Sequence, residues 1–430
     1  MGGNRPVYSC SLSFQPTIYA LRMALWAGMI AALAATGASA KVLKVDDDGV
    51  QCKSAPYTTI QDAVAAAAPG DVIKVCPGLY TGQVVIDKTL KIKGKAPKIK
   101  TCNTLAAPDP TQHSIFQPPA VTGVGGIGFD VFADKVTIQN LVITKAGETG
   151  IRTDPANTGF TLKNSVLIQN ANGIYFHSSG GTTSTVKKNC FYQNTLAGIR
   201  TRYGLADATI SKNLFFETEE AAAIIVDQDP SITNQRLTVS SNQSQGDSTF
   251  AVILGTVDSS FSKNKVDSTA GTAIFVGGNN VNLEITQNTV TNAGTRGIRF
   301  DIAIYGGTAS AQVTVAKNTI DKAGIHGIVA DSSAGETSLV SSTIEKNVVT
   351  NSGQTGVGDG IRMEDPTASG ANGGNTIASN TISGSFNHDC HDDTSGSGTA
   401  GTANTWSGDT AATQNVANLC FAGSANGVAD

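Results

Sequence analysis

The segment LEITQNTV, residues 283–290, alternates apolar with polar residues and carries one asparagine near its end. The same pattern returns in VTVAKNTI at 313–320 and in STIEKNVV at 342–349. A period of two is typical of a β-strand with one buried face. We identify eleven copies of this pattern, marked by Asn140, Asn164, Asn189, Asn213, Asn242, Asn264, Asn288, Asn318, Asn347, Asn380 and Asn404.

The spacing of these marker asparagines predicts a solenoid. Six of the ten intervals lie between 22 and 25 residues, and the other four lie between 29 and 33. A period near 24 is a coil length, and the extra residues are loops on one edge. Coils stacked about 4.8 Å apart pair each strand with those above and below, so neighbours bury the apolar face that one coil cannot bury alone. We therefore predict an all-β, single-stranded parallel β-helix.

The markers themselves are predicted to stack in one column. Asparagine suits a bend because it tolerates the left-handed backbone conformation and can hydrogen-bond local backbone groups. Stacked asparagine amides can also hydrogen-bond to one another in a ladder. We expect these asparagines to be structural.

A second repeated element follows the asparagine strands. It begins with glycine, which supplies a turn, and isoleucine, which we expect to point into the core. Copies occur at Gly150-Ile151, Gly173-Ile174, Gly198-Ile199, Gly297-Ile298, Gly327-Ile328 and Gly360-Ile361, with alanine for glycine at Ala223-Ile224 and Ala273-Ile274. Residues one and three places after an inward isoleucine face solvent. These outward positions form a stripe that includes Arg152, Tyr175, His177, Arg200, Arg202, Asp227, Arg299, Asp301, Asp331, Arg362 and Glu364.

The N-terminal part of the repeat region differs from the coils. The segment TIQDAVAAAAPGDVIKVCPGLY at 59–80 predicts a short amphipathic helix from Ile60 to Ala68, followed by a strand. Such a helix would cap the first coil and cover its open backbone edge. We assign residues 41–100 to this cap and the first coils, and residues 103–125 to an inserted loop.

The cap segment, the asparagine-marked coils and the Gly-Ile strands resemble the pectin-lyase-like superfamily of right-handed parallel β-helices. More narrowly, the chain resembles secreted bacterial proteins described as right-handed parallel β-helix repeat-containing. Their tail is similar to HDCHDDTSGSGTAGTANTW at 388–406 here. The resemblance covers residues 42–421 and implies a right-handed solenoid. It implies no single activity, because the superfamily includes lyases, hydrolases, esterases, epimerases and proteins that are not enzymes.

The first forty residues are interpreted as a secretory signal peptide. Arg22 precedes an apolar run at 23–35, and Ala38-Ser39-Ala40 supplies the small residues of a cleavage site after Ala40. Removing residues 1–40 leaves 28 basic and 34 acidic residues, a net charge of −6. This charge attracts neither nucleic acid nor an anionic membrane. We predict a single β-helix domain at 41–430, exported to the periplasm or the extracellular space.

The mature chain keeps six cysteines, an even count that favours disulfides in an exported protein. The sequence leaves the pairing open. Our preferred pairs are Cys52 with Cys76 at one end and Cys390 with Cys420 at the other, because the open ends of a solenoid most need fastening. Residues 384–430 would then form a disulfide-fastened tail.

The outward stripe predicts binding of a polysaccharide. Arginine can hold carboxylates, aromatic rings can stack on sugars, and carboxylates can accept hydrogen bonds from hydroxyl groups. The proposed substrate-binding residues are Arg152, Tyr175, Tyr203, Arg299, Asp301, Arg362 and Glu364. The alternative is a solvated outer face whose opposite charges pair across strands.

Four residues of the stripe are candidates for chemistry: His177, Arg200, Arg202 and Asp227. A lyase needs a base for the proton beside a uronate carboxylate and a cation that stabilises the anion formed. His177 or Tyr203 could exchange that proton, with an arginine on the carboxylate. A non-catalytic surface or adhesion protein is the first alternative. A glycoside hydrolase is the second, with Asp301 and Asp331, or Asp227 and Asp229, as its carboxyl pair.

We predict no cofactor and no metal site from the sequence. Two acidic groups could attract Ca²⁺, which prefers oxygen ligands. One is Asp46-Asp47-Asp48, and the other surrounds Cys390 with Asp389, His391, Asp392 and Asp393. For the second group, a disulfide-bonded turn is the favoured interpretation.

Overall fold

A computed structural model describes residues 39–99, 108–119, 121, 126–201, 203–227, 234–303, 306–332, 336–365 and 371–421. All but the last two residues of the predicted signal peptide lie outside these ranges, so that assignment stays a prediction. Within the described chain, the one α-helix has seven residues, and no helix has the length and hydrophobicity to cross a bilayer.

The described strands form three parallel sheets, and the chain passes through all three in each of about twelve coils. Each strand pairs with the strand at the same place in the coils above and below. This is the predicted right-handed parallel β-helix. Sheet 1 contains Val84–Ile86, Ile127–Val131, Thr149–Thr153, Asn172–Tyr175, Ala197–Thr201, Ala222–Val226, Ala251–Ile253, Ile274–Val276, Ile298–Phe300, Ile328–Ala330, Ile361–Met363 and Cys390–Asp392.

The other two sheets complete the coil. Sheet 2 contains Val42–Val45, Val72–Val75, Lys91–Lys93, Thr137–Gln139, Thr161–Lys163, Ser178–Lys187, Leu205–Ser211, Asn234–Ser240, Thr256–Ser262, Val281–Thr286, Ser310–Ala311, Thr314–Ala316, Leu339–Val340, Thr343–Glu345, Thr376–Ala378 and Thr405–Ser407. Sheet 3 contains Gly78–Thr81, Ser114–Gln117, Val142–Thr144, Val166–Ile168, Cys190–Tyr192, Leu214–Phe216, Gln243–Gln245, Lys265–Asp267, Thr289–Thr291, Thr319–Asp321, Val348–Thr350 and Thr381–Ser383.

The isoleucines of the Gly-Ile element form one inward column in sheet 1. Ile151 pairs with Ile174, which pairs with Ile199, and the register continues to Ile361. All six predicted isoleucines are fully buried: Ile151, Ile174, Ile199, Ile298, Ile328 and Ile361. Their burial confirms the predicted register and fixes which side chains of sheet 1 point outward.

Eight of the eleven marker asparagines stack in the predicted ladder. Each buried side-chain amide donates to the side-chain oxygen of the next asparagine, at 2.9–3.1 Å, from Asn189 to Asn380. The same oxygen accepts a backbone N–H from the preceding coil, and the second amide hydrogen is donated to a backbone carbonyl. The members are Asn189, Asn213, Asn242, Asn264, Asn288, Asn318, Asn347 and Asn380.

Three of the marker assignments are wrong. Asn140 and Asn164 have φ of 56° and 50° and occupy the left-handed turn position one residue before the ladder, where later coils carry residues such as Lys212. Ser165 therefore stands at the ladder position of its coil and donates its backbone N–H to Asn189. Asn404 accepts from Asn375 in a separate column. The last ladder position is occupied by an aspartate instead.

Both ends of the solenoid are covered. The N-terminal helix, Ile60–Ala66, is capped at its N-terminus by Thr59, whose hydroxyl accepts a hydrogen bond from the backbone N–H of Asp62. It buries Ile60 and Val64 against the first strands and ends two residues earlier than predicted. At the other end Trp406 is buried, and its indole N–H donates to Asp392 at 2.7 Å.

The disulfides close the same two ends. Cys52 pairs with Cys76, with Cα atoms 6.1 Å apart, and Cys390 pairs with Cys420, with Cα atoms 6.4 Å apart. The prediction of a loop at 103–125 is wrong in part, because Ser114–Gln117 is a sheet 3 strand. Ile115 and Phe116 in that strand are buried, so this segment contributes to the coil.

Candidate functional site

The outward side chains of sheet 1 divide into two charged clusters with an apolar stretch between them. The residue that follows each inward isoleucine or its equivalent forms one column along the helix axis. Read from the N-terminus, the column is Arg152, Tyr175, Arg200, Ile225, Val252, Phe275, Arg299, Val329, Arg362 and His391. The predicted column of outward positions is therefore present, and its chemistry changes along its length. The prediction that these side chains face solvent is wrong in part, because Tyr175, Phe275 and Val329 are buried.

The N-terminal cluster comprises Asp130, Arg152, Tyr175, His177, Arg200, Tyr203 and Asp227. Its two described arginines are already paired. Arg152 holds both carboxylate oxygens of Asp130, at 2.9 and 2.6 Å. Arg200 holds one oxygen of Asp227 through Nη2 at 2.7 Å and Nε at 3.3 Å. An arginine bound in this way must leave its aspartate before it can hold a substrate carboxylate bidentately.

The other residues proposed for a lyase are engaged or covered. His177 is 2% exposed, and its Nδ1 donates to the backbone carbonyl of Thr153 at 2.7 Å. Its ring contacts the exposed ring of Tyr203, with centroids 5.6 Å apart. Tyr175 is buried, and its hydroxyl donates to Glu148. Arg202 lies outside the described residues, so its predicted role is still a prediction.

An open groove of about 400 Å³ lies between the clusters. Ile225, Val252 and Phe275 form its apolar floor, and Arg200 and Asp227 stand at its N-terminal end. At the C-terminal end the guanidinium of Arg299 lies over the ring of Phe275, 5.8 Å from its centroid. Apolar rings with flanking charged hydrogen-bonding groups suit the alternating surfaces of a sugar chain.

The C-terminal cluster is larger and more deeply buried. Three outward columns contribute to it from the last coils of sheet 1. They supply Arg296, His326, Asp359 and His388; Arg299, Arg362 and His391; and Asp301, Asp331, Glu364 and Asp393. The predicted residues Arg299, Asp301, Arg362 and Glu364 are therefore brought together here.

Arg299 links two aspartates on neighbouring coils. It forms ion pairs with Asp301 and with Asp331, the second at 2.6 Å. Both aspartates are almost completely buried. Arg299 thus holds negative charge in place at the floor of the cluster, where water screens it poorly.

Asp331 and Glu364 form a carboxyl pair. Their side chains hydrogen-bond to each other across adjacent coils, and the backbone N–H of Ser332 donates to Glu364 at 3.3 Å. Burial and the neighbouring Asp331 raise the pKa of Glu364 to about 7. Burial alone would raise the pKa of Asp331, but the hydrogen bond from Glu364 and the charge of Arg299 outweigh it and lower that pKa. One proton is therefore held mainly on Glu364, and Asp331 stays ionised.

Asp359 is the buried centre of the cluster. Its Oδ2 lies 3.0 Å from Nη1 of Arg362 and 3.4 Å from Nδ1 of His326. Burial by itself would raise the pKa of Asp359, but His391, His326 and Arg362 outweigh it and lower that pKa. His326 accepts the backbone N–H of Asp359 at 3.0 Å, and its burial lowers its pKa to about 4.

Two further histidines approach Asp359 from the last coil. Nδ1 of His391 lies 3.2 Å from Oδ1 of Asp359, and Nδ1 of His388 lies 3.5 Å from the same oxygen. Nε2 of His391 is 2.7 Å from Asp393. Burial would lower the pKa of His391, but its bonds with Asp359 and Asp393 outweigh this and raise the pKa to about 9.

The two acidic groups considered for Ca²⁺ are held differently. Asp389 and Asp392 accept hydrogen bonds from the tail, including backbone N–H groups of Ala412 and Thr394. This arrangement agrees with a structural turn. Asp46, Asp47 and Asp48 cap backbone N–H groups of the first coil. His391 and Asp393, in contrast, belong to the C-terminal cluster.

Sequence reasoning missed Asp130, Asp359, His388 and the placement of His326. Asp130 was overlooked because its strand lacks the Gly-Ile signal. The others share a spacing that could have revealed them. Each stands three residues before an outward position, as in Arg296 and Arg299, Asp359 and Arg362, or His388 and His391. The chain bends between the two places, so both face outward.

Comparisons with known proteins agree on the architecture. Residues 119–215 match the family model described as "Right handed beta helix region". A search of curated proteins found no matching sequence. The catalytic unit of a thermostable GH87 alpha-1,3-glucanase from Streptomyces thermodiastaticus strain HF3-3 has a similar structure, with TM-score 0.58 and 14% identity over 89% of this chain and 70% of that one.

Two further structures are similar. One is the catalytic domain of a GH87 alpha-1,3-glucanase variant in complex with nigerose, with TM-score 0.56 and 13% identity over 79% of this chain and 64% of that chain. The other is a DFA-IIIase from Arthrobacter chlorophenolicus A6, with TM-score 0.46 and 16% identity over 79% and 94% of the two chains. At these identities the likeness concerns the fold. The predicted resemblance to right-handed parallel β-helix proteins is confirmed.

Proposed function

We propose that the outer face of sheet 1 binds a polysaccharide along the helix axis and hydrolyses it at Asp331 and Glu364. The observation that carries this proposal is the carboxyl pair itself. Two carboxyl groups on adjacent coils share a hydrogen bond, and they stand two and three coils beyond Phe275, the last residue of the groove's apolar floor. Glycoside hydrolysis requires one carboxyl group as a proton donor and a second as a base or nucleophile.

The electrostatic difference between the two groups assigns their roles. Glu364 carries the proton near neutral pH and donates it to the glycosidic oxygen as the bond to the anomeric carbon breaks. Asp331, ionised beside Arg299, accepts a proton from the water whose oxygen bonds to that carbon. This step requires the bound substrate to separate the two carboxyl groups, because an attacking water fits between such groups only when they are about 6.5–9.5 Å apart. The proton then returns from Asp331 to Glu364 through their hydrogen bond, which restores the starting state.

The groove would position the chain for this reaction. Phe275 and Val252 offer apolar contact to the C–H faces of sugar rings, while Arg200 and Asp227 offer hydrogen bonds to hydroxyl groups. The similar structures support the substrate class, since two are alpha-1,3-glucanases and one of these is complexed with nigerose.

Two other functions are tested in the same experiment. Lyase chemistry is less favoured because Arg152 and Arg200 are bound to aspartates and His177 is held by a backbone carbonyl. A non-catalytic adhesion solenoid would bind polysaccharide through the same groove without cleaving it.

The deciding experiment incubates the purified protein with a panel of neutral and uronate polysaccharides. Hydrolysis is followed by the release of reducing ends, and lyase action by the absorbance of unsaturated products. We expect reducing ends alone, lost in Glu364→Gln. The matched control is Glu345→Gln, whose carboxylate pairs with Lys346 on sheet 2, away from the groove. Unsaturated products would establish the lyase, and saturable binding without either product would establish the adhesion protein.

A further inference from the structure

Three side chains of the C-terminal cluster converge on one point. Asp359, His388 and His391 each direct one ligand atom to it, and all three atoms lie within 4.8 Å of one another. The oxygen of Asp359 is 3.2 Å from Nδ1 of His391 and 3.5 Å from Nδ1 of His388. A tetrahedral zinc ion with bonds of about 2.0–2.1 Å separates its ligand atoms by about 3.3–3.4 Å. The two separations from Asp359 are therefore close to those around a small cation, and the third, between the imidazole nitrogens, is at most 4.8 Å.

The hydrogen bonding of His388 supplies an independent observation. His388 is 8% exposed, and its Nδ1 atom is completely buried with no hydrogen-bond partner in the described structure. The backbone N–H of His388 donates to Asp359 at 3.1 Å, which fixes the ring beside the carboxylate. Buried polar atoms are nearly always satisfied, so an imidazole nitrogen that lies 3.5 Å from a carboxylate oxygen without forming a hydrogen bond points to a missing ligand.

The surrounding residues orient the three ligands. Asp393 contacts Nε2 of His391 at 2.7 Å, which directs the other ring nitrogen toward Asp359. A carboxylate behind a histidine is the usual support of a zinc-binding imidazole. Arg362 holds Oδ2 of Asp359 at 3.0 Å, so the oxygen nearest the two imidazoles is Oδ1, which also accepts the backbone N–H of His388. The charge of Arg362 is balanced by Asp359 and Asp393, at 3.0 and 3.3 Å.

We propose that Asp359, His388 and His391 form a binding site for Zn²⁺. Two imidazoles and one carboxylate suit zinc, whereas Ca²⁺ takes oxygen ligands alone. Three protein ligands leave a fourth coordination position for water or substrate, as in catalytic zinc sites. His326 is not a ligand through Nδ1, because that atom accepts the N–H of Asp359. The site uses neither Asp331 nor Glu364, so it stands independently of the proposed hydrolysis.

The test measures metal binding rather than activity. The mature protein is stripped with a chelator and titrated with Zn²⁺ in excess Ca²⁺, with stoichiometry read by calorimetry and elemental analysis. We expect one Zn²⁺ per chain and a higher midpoint of thermal unfolding. His388→Ala should weaken binding more than about 100-fold, and Asp393→Asn about 10–100-fold, because it only positions His391. His113→Ala is the matched control, since His113 lies in an N-terminal loop beside Asp109.

A second measurement needs no variant and covers the case in which His388→Ala does not fold. Co²⁺ bound to the wild-type protein should give the intense visible absorption of a four-coordinate ion, and Zn²⁺ should displace it. Weak absorption typical of six-coordinate Co²⁺, or Zn²⁺ binding that persists unchanged in a folded His388→Ala variant, would overturn the proposal. Absence of any Zn²⁺ binding would overturn it too, and would leave the hydrolysis assay unaffected.

Discussion

Asn380 donates both its side-chain and its backbone N–H to Oδ1 of Asp409, each at 2.8 Å. Every earlier step of the ladder ends on an asparagine oxygen, so Asp409 is its terminus. An asparagine there would also have a side-chain N–H to donate to the coil below. Asp409 instead has a buried Oδ2 without a hydrogen-bond partner, and burial raises the pKa of its carboxyl group.

Asp409→Asn should stabilise the protein at pH 7. The new amide can donate to the carbonyl of Ile377, as Asn380 donates to Ile344, and it removes a buried unsatisfied oxygen. We expect a gain of about 1 kcal/mol in the free energy of unfolding. The gain should shrink in acid. Because the pKa of Asp409 is raised in the folded state, protonation of this carboxyl group stabilises the wild-type protein, fully so below the pKa of the unfolded state. That stabilisation is lost as the pH rises through the folded-state pKa. Calorimetry at two pH values measures both effects, with the exposed Asp258→Asn as control. A lower melting midpoint at pH 7 would contradict this account.

Ile199→Ala tests the inward column of sheet 1. Ile199 is fully buried between Ile174 and Ile224, and its truncation should leave a cavity that costs about 2–5 kcal/mol. Denaturant titration gives the free energy of unfolding. Val281→Ala, at a side chain 39% exposed, should change it by less than about 0.5 kcal/mol. Equal losses in the two variants would argue against the packing described here.

Arg200→Ala tests the proposal that the groove binds a polysaccharide. Arg200 bonds to Asp227 at the end of the groove, and Arg236 bonds to Asp207 at 2.6 Å on sheet 2, so the two arginines have comparable ion pairs on different faces. Exposed pairs contribute at most about 1 kcal/mol, so both variants should keep a nearly unchanged melting midpoint. Only Arg200→Ala should weaken binding, by about tenfold, in equilibrium titration with the polysaccharide. Equal affinity of the two variants would exclude Arg200 from the binding surface.

Glu364 should set the alkaline limit of hydrolysis. Because its pKa is raised to about 7, kcat/KM should fall as pH rises through that region and the proton donor is lost. The observed value belongs to the coupled Asp331–Glu364 pair rather than to one residue. A pH profile for wild type and Glu345→Gln should show the same limb, and Glu364→Gln should retain only weak activity without it. A profile that is flat to pH 9 would remove Glu364 from the role of acid.

The sequence was sufficient for most of the strands and for the register of sheet 1, but it did not reveal the strand Ser114–Gln117. Period-two alternation and the Gly-Ile pairs correctly predicted that Ile151 through Ile361 point inward, because the pattern within each short strand shows which of its faces is buried. The ladder was harder. Asn140 and Asn164 occupy a bend whose left-handed backbone also favours asparagine, one residue from the ladder position. The bend and the ladder position are adjacent and both favour asparagine, for different physical reasons, so the spacing of asparagines alone does not distinguish them.

The candidate site was predicted as a face but not as a set of partners. Arg299, Asp301, Arg362 and Glu364 were identified as outward, yet the pairing of Asp331 with Glu364 depends on contacts between coils 33 residues apart in sequence. Asp359 and His388 stand two residues before the inward residues Ile361 and Cys390, at a bend where strict alternation would wrongly turn both side chains inward. The unequal pKa values of Asp331 and Glu364 arise from burial together with the contact of Asp331 with Arg299, and both are properties of the stacked coils.

The apolar stretch of Ile225, Val252 and Phe275 gives the solenoid a means of evolving in discrete steps. Each coil adds about 4.8 Å between the two charged clusters. Since a coil pairs only with its neighbours, duplication or deletion of one coil's coding segment would change that separation and preserve the pattern of strand pairing. A lineage of such proteins could therefore match glycans of different length by coil number, without rebuilding either cluster.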